Sequence, residues 1–112
     1  MNGNKNQESL SAAVFHIALA LADGPKHGYG IMQDVERQTD GALKLGPGTL
    51  YGTLKRMLAD DLVEEAGEED RRRYYRLTTL GLETARAEAE RLSSLVQEAH
   101  LKKLLRTPRP AL

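Results

Sequence analysis

The sequence contains no cysteine and no tryptophan, and it has a single phenylalanine among its 112 residues. Without cysteine there is no disulfide framework, no thiolate zinc site and no cysteine nucleophile, and such a composition fits a reducing cytoplasm. Met1 to Ser9 is polar and lacks the apolar core of a signal peptide. The longest apolar stretch, Ala12 to Ala22, includes His16 and is too short to span a bilayer. We therefore expect a cytoplasmic protein that makes no use of the membrane.

Motifs for catalysis and for metal binding are also missing from the sequence. His16, His27 and His100 lie far apart and do not have the spacing of metal ligands. The chain has no serine–histidine–aspartate order, no HExxH motif and no phosphate-binding loop. We therefore expect neither an enzyme nor a bound cofactor or metal.

The charge is balanced, with 16 basic and 16 acidic residues. A zero net charge counts against nucleic-acid binding, because domains that bind DNA are usually basic. Screening at physiological salt, however, limits the reach of a charge to about 8 Å. What matters is therefore whether basic side chains converge on one face.

Apolar spacing, glycine and proline divide the chain into short helices and a hairpin. Pro47 suits the first position of a helix, because its missing amide hydrogen would be unpaired there anyway. The expected elements are, in chain order, a flexible tail (1–8), a helix from a cap at Ser9 to about Ala22, a helix from His27 or Gly28 to about Thr39, a short strand at Leu43-Lys44-Leu45, a helix from Gly46-Pro47 to about Ala59, a strand at 62–65, a turn at 67–70, a strand at 71–77 and a helix from Thr79 to about Leu105.

This order predicts a mainly α fold with a small β-hairpin. It is the order of a winged helix-turn-helix, with the hairpin as the wing. We expect the winged-helix domain to span 9–78, a dimerisation helix to span 79–106 and a flexible tail to span 107–112.

The third helix combines an apolar stripe with a polar outer face. Leu50, Leu54 and Met57 repeat at helical spacing and would hold the helix on a core. The remaining face carries small or hydroxyl-bearing residues that can approach base edges in the major groove, flanked by basic residues for phosphates. The expected contacts are Gly48, Thr49 and Thr53 for bases, and Lys44, Lys55 and Arg56 for phosphates.

The hairpin adds three consecutive arginines, Arg71, Arg72 and Arg73, where a wing tip would reach the DNA backbone. Glu68, Glu69 and Asp70 precede them, and we expect these acids to neutralise part of the charge. Tyr75 is expected in the core and Tyr74 half-exposed.

Three segments resemble the PadR family of transcriptional regulators. They are Gly48-Thr49-Leu50-Tyr51 with Leu54, Arg56-Met57 and Leu62-Val63; Arg73-Tyr74-Tyr75-Arg76-Leu77-Thr78 with Gly81; and His27-Gly28-Tyr29-Gly30-Ile31. The resemblance covers about residues 10–82. It implies a dimeric winged-helix repressor in which Tyr51, Lys55, Arg72, Arg73 and Tyr74 contact DNA. From the residues alone, Tyr51 could lie at the core edge or place its hydroxyl on a phosphate.

The last helix carries apolar residues at alternating three- and four-residue steps, like the seam of a coiled coil. An apolar stripe of that length would be exposed in a monomer, which usually marks an interface. The alternative is that the helix folds back onto its own domain. The expected dimer contacts are Leu82, Ala85, Ala89, Leu92, Leu95, Val96 and Ala99, together with Leu10 and Val14 of the first helix.

The predicted function is a sequence-specific repressor that binds a palindromic operator on double-stranded DNA as a homodimer. The resemblance implies that a small-molecule effector could release it, but the sequence does not indicate which one. The alternative function is a winged-helix module for protein–protein interaction, which the zero net charge keeps open.

Overall fold

The computed structural model describes residues 10–106. The elements are, in chain order, α1 (Ala12–Leu21), β1 (Lys26–His27), α2 (Gly28–Gln38), α3 (Pro47–Ala59), β2 (Val63–Glu69), β3 (Arg72–Leu77) and α4 (Thr79–Leu101). This is the predicted mainly helical architecture with a β-hairpin. The two predicted tails and the predicted cap Ser9 lie outside the described residues.

The first helix begins later than the sequence suggested. Ser11, rather than Ser9, caps α1, because its hydroxyl accepts a hydrogen bond of 3.2 Å from the amide of Val14. The side chain thereby satisfies one of the free amide donors at the helix start.

The short strand is also in a different place. The segment Leu43-Lys44-Leu45, predicted as a strand, is a loop. Its alternation of apolar and polar residues reflects burial alone, because Leu45 lies in the core and Lys44 is exposed. The short strand is β1, which pairs antiparallel with β3 and makes the sheet order β1–β3–β2. The predicted order of elements was therefore wrong at this point, since the strand comes before α2.

The core lies between the three N-terminal helices and one face of the hairpin. Ile17, Ile31, Leu50 and Leu54 are almost completely buried, and they come from α1, α2 and α3. Tyr75 of β3 joins this cluster with 6% of its surface exposed, as predicted. The cluster therefore fixes α3 and the wing on one body.

Two further joints hold the ends of the elements. Gln38 of α2 hydrogen-bonds both the ring and the carbonyl oxygen of His16 on α1. Thr78 caps α4 by accepting from the amide of Gly81, and its hydroxyl donates to the carbonyl of Asp61 at 2.6 Å. The second joint attaches the start of α4 to the turn that precedes the wing.

The helix α4 ends at Leu101, earlier than the predicted Leu105. Lys103 adopts a left-handed conformation with φ 63°, and the amide of Leu104 bonds back to the carbonyl of Ala99. This bond closes a Schellman turn, which usually has glycine at the left-handed position. Because lysine occupies the left-handed position here, the sequence does not indicate that the helix ends at Leu101.

Candidate nucleic-acid interface

The helix α3 presents a polar outer face. Gly46 and Pro47 start the helix, and Leu50, Leu54 and Met57 bury its inner stripe. The exposed residues on the other side are those that the sequence predicted for DNA contact, together with Gly52: Gly48, Thr49, Tyr51, Gly52, Lys55 and Arg56. Thr53 differs from them, because it is half-buried and its hydroxyl donates to the carbonyl of Thr49 at 2.7 Å.

The wing tip is a two-residue turn at Asp70 and Arg71, and both residues have positive φ, 52° and 64°. Such φ values define the turn that best fits a two-residue hairpin, although glycine is usual at the second position. The predicted turn at 67–70 was wrong. Gly67, with φ 106°, belongs to an irregularity in β2 between Glu65 and Glu68.

Ion pairs across the hairpin divide the arginines into two groups. Glu64 accepts from Arg76 at 2.8 Å, and Glu65 lies 3.7 Å from Arg73. The acids that pair with these arginines are thus Glu64 and Glu65, and not Glu68, Glu69 and Asp70 as predicted. Arg71 and Arg72 form no ion pair with any acid among residues 10–106, so their charge is available to a partner.

A cleft of about 590 Å³ lies between α3 and the wing. Tyr51 contributes from α3, and the wing contributes all three tip arginines. The complete lining is His27, Gly28, Tyr29, Tyr51, Glu68, Arg71, Arg72, Arg73 and Tyr75. Burial raises the pKa of the Tyr75 hydroxyl, which therefore remains neutral at physiological pH. The cleft brings the recognition helix and the basic wing together on one surface.

His27 also lines this cleft, although the sequence indicated it only as a helix start and as part of a segment that resembles the PadR family. It caps α2, because its Nδ1 accepts from the amide of Gly30 at 3.0 Å. Its Nε2 lies 3.1 Å from Nη1 of Arg72. Nothing local in the sequence indicates this contact, which depends on the pairing of β1 with β3.

Of the predicted DNA-contact residues, only Tyr51 and the three arginines line this cleft; Gly48, Thr49, Thr53, Lys55 and Arg56 lie elsewhere on α3, and Lys44 and Tyr74 lie outside that helix. Lys44 is exposed in the loop before α3. Tyr74 is half-buried and packs edge-on against the ring of His27, with ring centroids 5.2 Å apart. The edge-on packing helps to hold the His27 ring at the sheet.

The residues predicted for a dimer interface differ in exposure. Leu95 and Val96 expose 54% and 53% of their surface, and Ala89 is also exposed. Val14 lies in the core of its own chain with 8% exposed, so it has little surface left for a partner. The remaining residues are half-buried: Leu10, Leu82, Ala85, Leu92 and Ala99.

A buried carboxylate fixes α4 against the start of α1. Glu88 is 6% exposed and binds Arg91 through both of its oxygens, at 3.0 and 2.6 Å. The Arg91 guanidinium holds the pKa of Glu88 below its ordinary value, and the backbone amide of Leu10 acts in the same direction. The ion pair lies within α4, and the contact with Leu10 is what links this helix to the segment before α1.

Within residues 10–106, no cluster of histidine and acidic side chains could hold a metal ion. None of the helices in that range combines the length and the apolar character needed to cross a bilayer.

Residues 17–87 match the family model described as the transcriptional regulator PadR-like family. The match covers well over half of the chain and includes α2, α3 and the whole wing. The chain belongs to the PadR-like family of transcriptional regulators. The family is described as one of transcriptional regulators.

Two relatives extend this result. The chain is 35% identical over 96 residues to the transcriptional regulator Rv3488 of Mycobacterium tuberculosis, covering 82% of this chain and 87% of the relative. It is 44% identical over 79 residues to an uncharacterized 37.1 kDa protein in a transposon of Streptomyces fradiae. That match covers 70% of this chain but only 22% of the longer Streptomyces protein.

The fold of this PadR-like chain is similar to that of a solved transcriptional regulator from Clostridium thermocellum. The two share 26% sequence identity with a TM-score of 0.69, over 83% of this chain and 96% of that one. The winged-helix architecture is therefore shared along nearly the whole of the Clostridium protein.

Proposed function

We propose that this chain is a repressor that binds a palindromic operator as a homodimer. In this proposal α3 enters the major groove, where Thr49, Thr53 and Gly48 face base edges. Tyr51, Lys44, Lys55 and Arg56 contact phosphates beside it, and the wing contacts the backbone through Arg71, Arg72 and Arg73.

The observation that carries the proposal is the cleft shared by Tyr51 and the tip arginines. A duplex that receives a helix in its major groove presents its backbone to whatever flanks that helix. Here the flank is the cleft, and Arg71 and Arg72 have no acidic ion-pair partner within residues 10–106. The local charge at this face thus outweighs the zero net charge of the chain.

The exposed apolar residues of α4 support the dimer. Leu95 and Val96, which are adjacent in the C-terminal half of the helix, are each more than half exposed. A second copy packed there would remove this surface from water. Two-fold pairing also places two recognition helices about 34–36 Å apart, which is one turn of DNA.

The test is a titration of binding to random-sequence duplex DNA against salt. Each phosphate that a cation neutralises contributes about −0.9 to the slope of log affinity against log salt, so a dimer should show a slope of several units. Arg72→Ala should make the slope shallower and leave sequence preference unchanged, whereas Thr49→Ala should change the preferred base at one position. A response independent of salt would contradict DNA binding and favour the protein-interaction alternative.

Release by a small-molecule effector rests on the family resemblance alone and requires its own measurement. Once an operator has been selected from a random library, candidate compounds can be scored by their ability to displace it. A compound that displaces the operator and also raises the melting temperature of the free protein would act as an inducer.

A further inference from the structure

The ring of His27 has two hydrogen-bond donors directed at it. The amide of Gly30 donates to Nδ1 at 3.0 Å and so caps α2. On the other side of the ring, Nη1 of Arg72 lies 3.1 Å from Nε2. A guanidinium has only donors, and a neutral imidazole has one donor and one acceptor nitrogen.

The neutral ring therefore cannot satisfy both neighbours. If Nδ1 accepts from Gly30, the proton is on Nε2, where it faces the N–H of Arg72. If Nε2 accepts from Arg72, the proton is on Nδ1 and the cap of α2 is lost. Because the Gly30 amide is fixed in the backbone while Arg72 is an exposed side chain, the ring retains the cap.

We propose that His27 and Arg72 together form a binding position for one DNA phosphate, with Nε2–H and Nη1–H as its two donors. This inference rests on the proposed function. A single phosphate oxygen about 2.8 Å from each nitrogen completes a triangle whose base is the present 3.1 Å separation. The oxygen supplies the acceptor that the pair lacks, and the cap of α2 remains intact.

The surroundings of the pair agree with this role. Both side chains line the cleft between α3 and the wing, which also contains Tyr51 and Arg71. Glu68 is the one carboxylate in that lining, and it is in register with Arg73 on the neighbouring strand. Tyr74 packs edge-on against the ring and limits its rotation. The His27 donor is thus held in place before DNA arrives, by the Gly30 amide and the Tyr74 ring.

The variant that isolates the Nε2 donor is His27→Asn. Asparagine is a preferred cap, so its carbonyl can replace Nδ1 at Gly30, but its side chain is too short to replace Nε2. We expect about tenfold weaker binding to random-sequence duplex with an unchanged salt slope, because a neutral donor is lost. Arg72→Ala should instead make the slope shallower by about 0.9 per protomer. In the Arg72→Ala background, His27→Asn should have little further effect, since both residues bind the same phosphate.

A second measurement uses the wild-type chain and does not depend on how the variant folds. Imidazole ¹⁵N spectra at about pH 8, where an ordinary histidine is neutral, report which nitrogen carries the proton. We expect the proton of His27 on Nε2 in the free protein, and a downfield shift of that proton when duplex is added. His16 and His100 lie outside the cleft lining and serve as internal controls.

The outcomes separate this inference from the proposed function. Suppose that the wild-type chain binds DNA with a salt-dependent affinity. Unchanged affinity of the His27→Asn variant, or a His27 resonance that does not shift when duplex is added, would then overturn the proposed phosphate position. Neither result would contradict the proposed DNA-binding function. Absence of DNA binding in the wild-type chain would remove both.

Discussion

The side chain of Tyr51 lies directly over the Cα of Gly28. A methyl group added to Gly28 would collide with the Tyr51 hydroxyl and come within 2.7 Å of its Cζ. Tyr51 is 48% exposed and is free to swing outward, so the collision should be relieved by movement of the ring rather than by unfolding. This contact sets where the hydroxyl is presented in the cleft.

Gly28→Ala should therefore weaken DNA binding while leaving the melting temperature within a few degrees of wild type. The expected loss of affinity is about tenfold if the Tyr51 hydroxyl binds a phosphate. Tyr51→Phe is the matched comparison, because it removes the hydroxyl without moving the ring. If the Gly28→Ala variant binds DNA with wild-type affinity while the Tyr51→Phe variant does not, the position of the Tyr51 ring would have no effect on DNA binding.

Arg71→Gly should stabilise the fold and weaken DNA binding at the same time. Arg71 has φ 64° at the second position of the wing turn, where glycine is the preferred residue. Relief of this strain should raise the free energy of unfolding by about 1 kcal/mol. Loss of one cation should make the salt slope shallower by about 0.9 per protomer. Arg71→Lys keeps the charge and should leave the slope unchanged.

Val96→Asp should yield monomers in sedimentation and reduce DNA affinity. Val96 is 53% exposed on α4, and a charge placed in an apolar dimer seam would be desolvated without a partner. Gln97→Asp adds the same charge at an adjacent exposed position and should remain dimeric. Equal behaviour of the two variants would show that the seam does not pass through Val96.

Gly81→Ala should destabilise the protein by about 2–3 kcal/mol, measured by denaturant unfolding. An added methyl would collide with the carbonyl group of Leu62 and come within 2.9 Å of its carbon, and this backbone cannot move aside. Gly52→Ala is the control, since nothing lies within 4 Å of its added methyl and alanine favours the helix by about 1 kcal/mol. If the Gly81→Ala protein is as stable as wild type, the backbone at Leu62 can shift to make room for the added methyl group.

Glu88→Gln should lower the free energy of unfolding at neutral pH, and the difference from wild type should disappear in acid. The pKa of Glu88 in the folded state lies below the ordinary value of 4.5, because Arg91 stabilises the carboxylate. A lowered folded-state pKa contributes stability above the unfolded value, and that contribution disappears as the pH falls through the folded value. The difference in unfolding free energy should be about 1 kcal/mol at pH 7. It should approach zero only after the pH has fallen below the lowered folded-state pKa of Glu88. A pH-independent difference would indicate that packing alone is affected.

The sequence predicts the helices and the hairpin because apolar spacing and Pro47 are local signals. The outer face of α3 follows from the same spacing, and so does the burial of Tyr75. The strand β1 could not be predicted, since two residues form a strand only through pairing with Tyr74 and Tyr75, which are distant in the chain. Gly67 was misleading for a related reason: glycine marks irregularities in strands as well as turns, and only the register distinguishes the two. The contact between His27 and Arg72 was missed because it depends on that same pairing.

The joint at Thr78 fastens α4 to the base of the wing. Thr78 bonds to Asp61 and Gly81, and its amide also donates to the carbonyl of Leu62, next to the first residue of β2. These bonds couple the wing to the start of α4, and in the proposed dimer α4 is the helix through which the two protomers pair. If two chains pair through α4 as proposed, a change in the angle between the two helices would change the distance between the two wing tips without any rearrangement inside either chain.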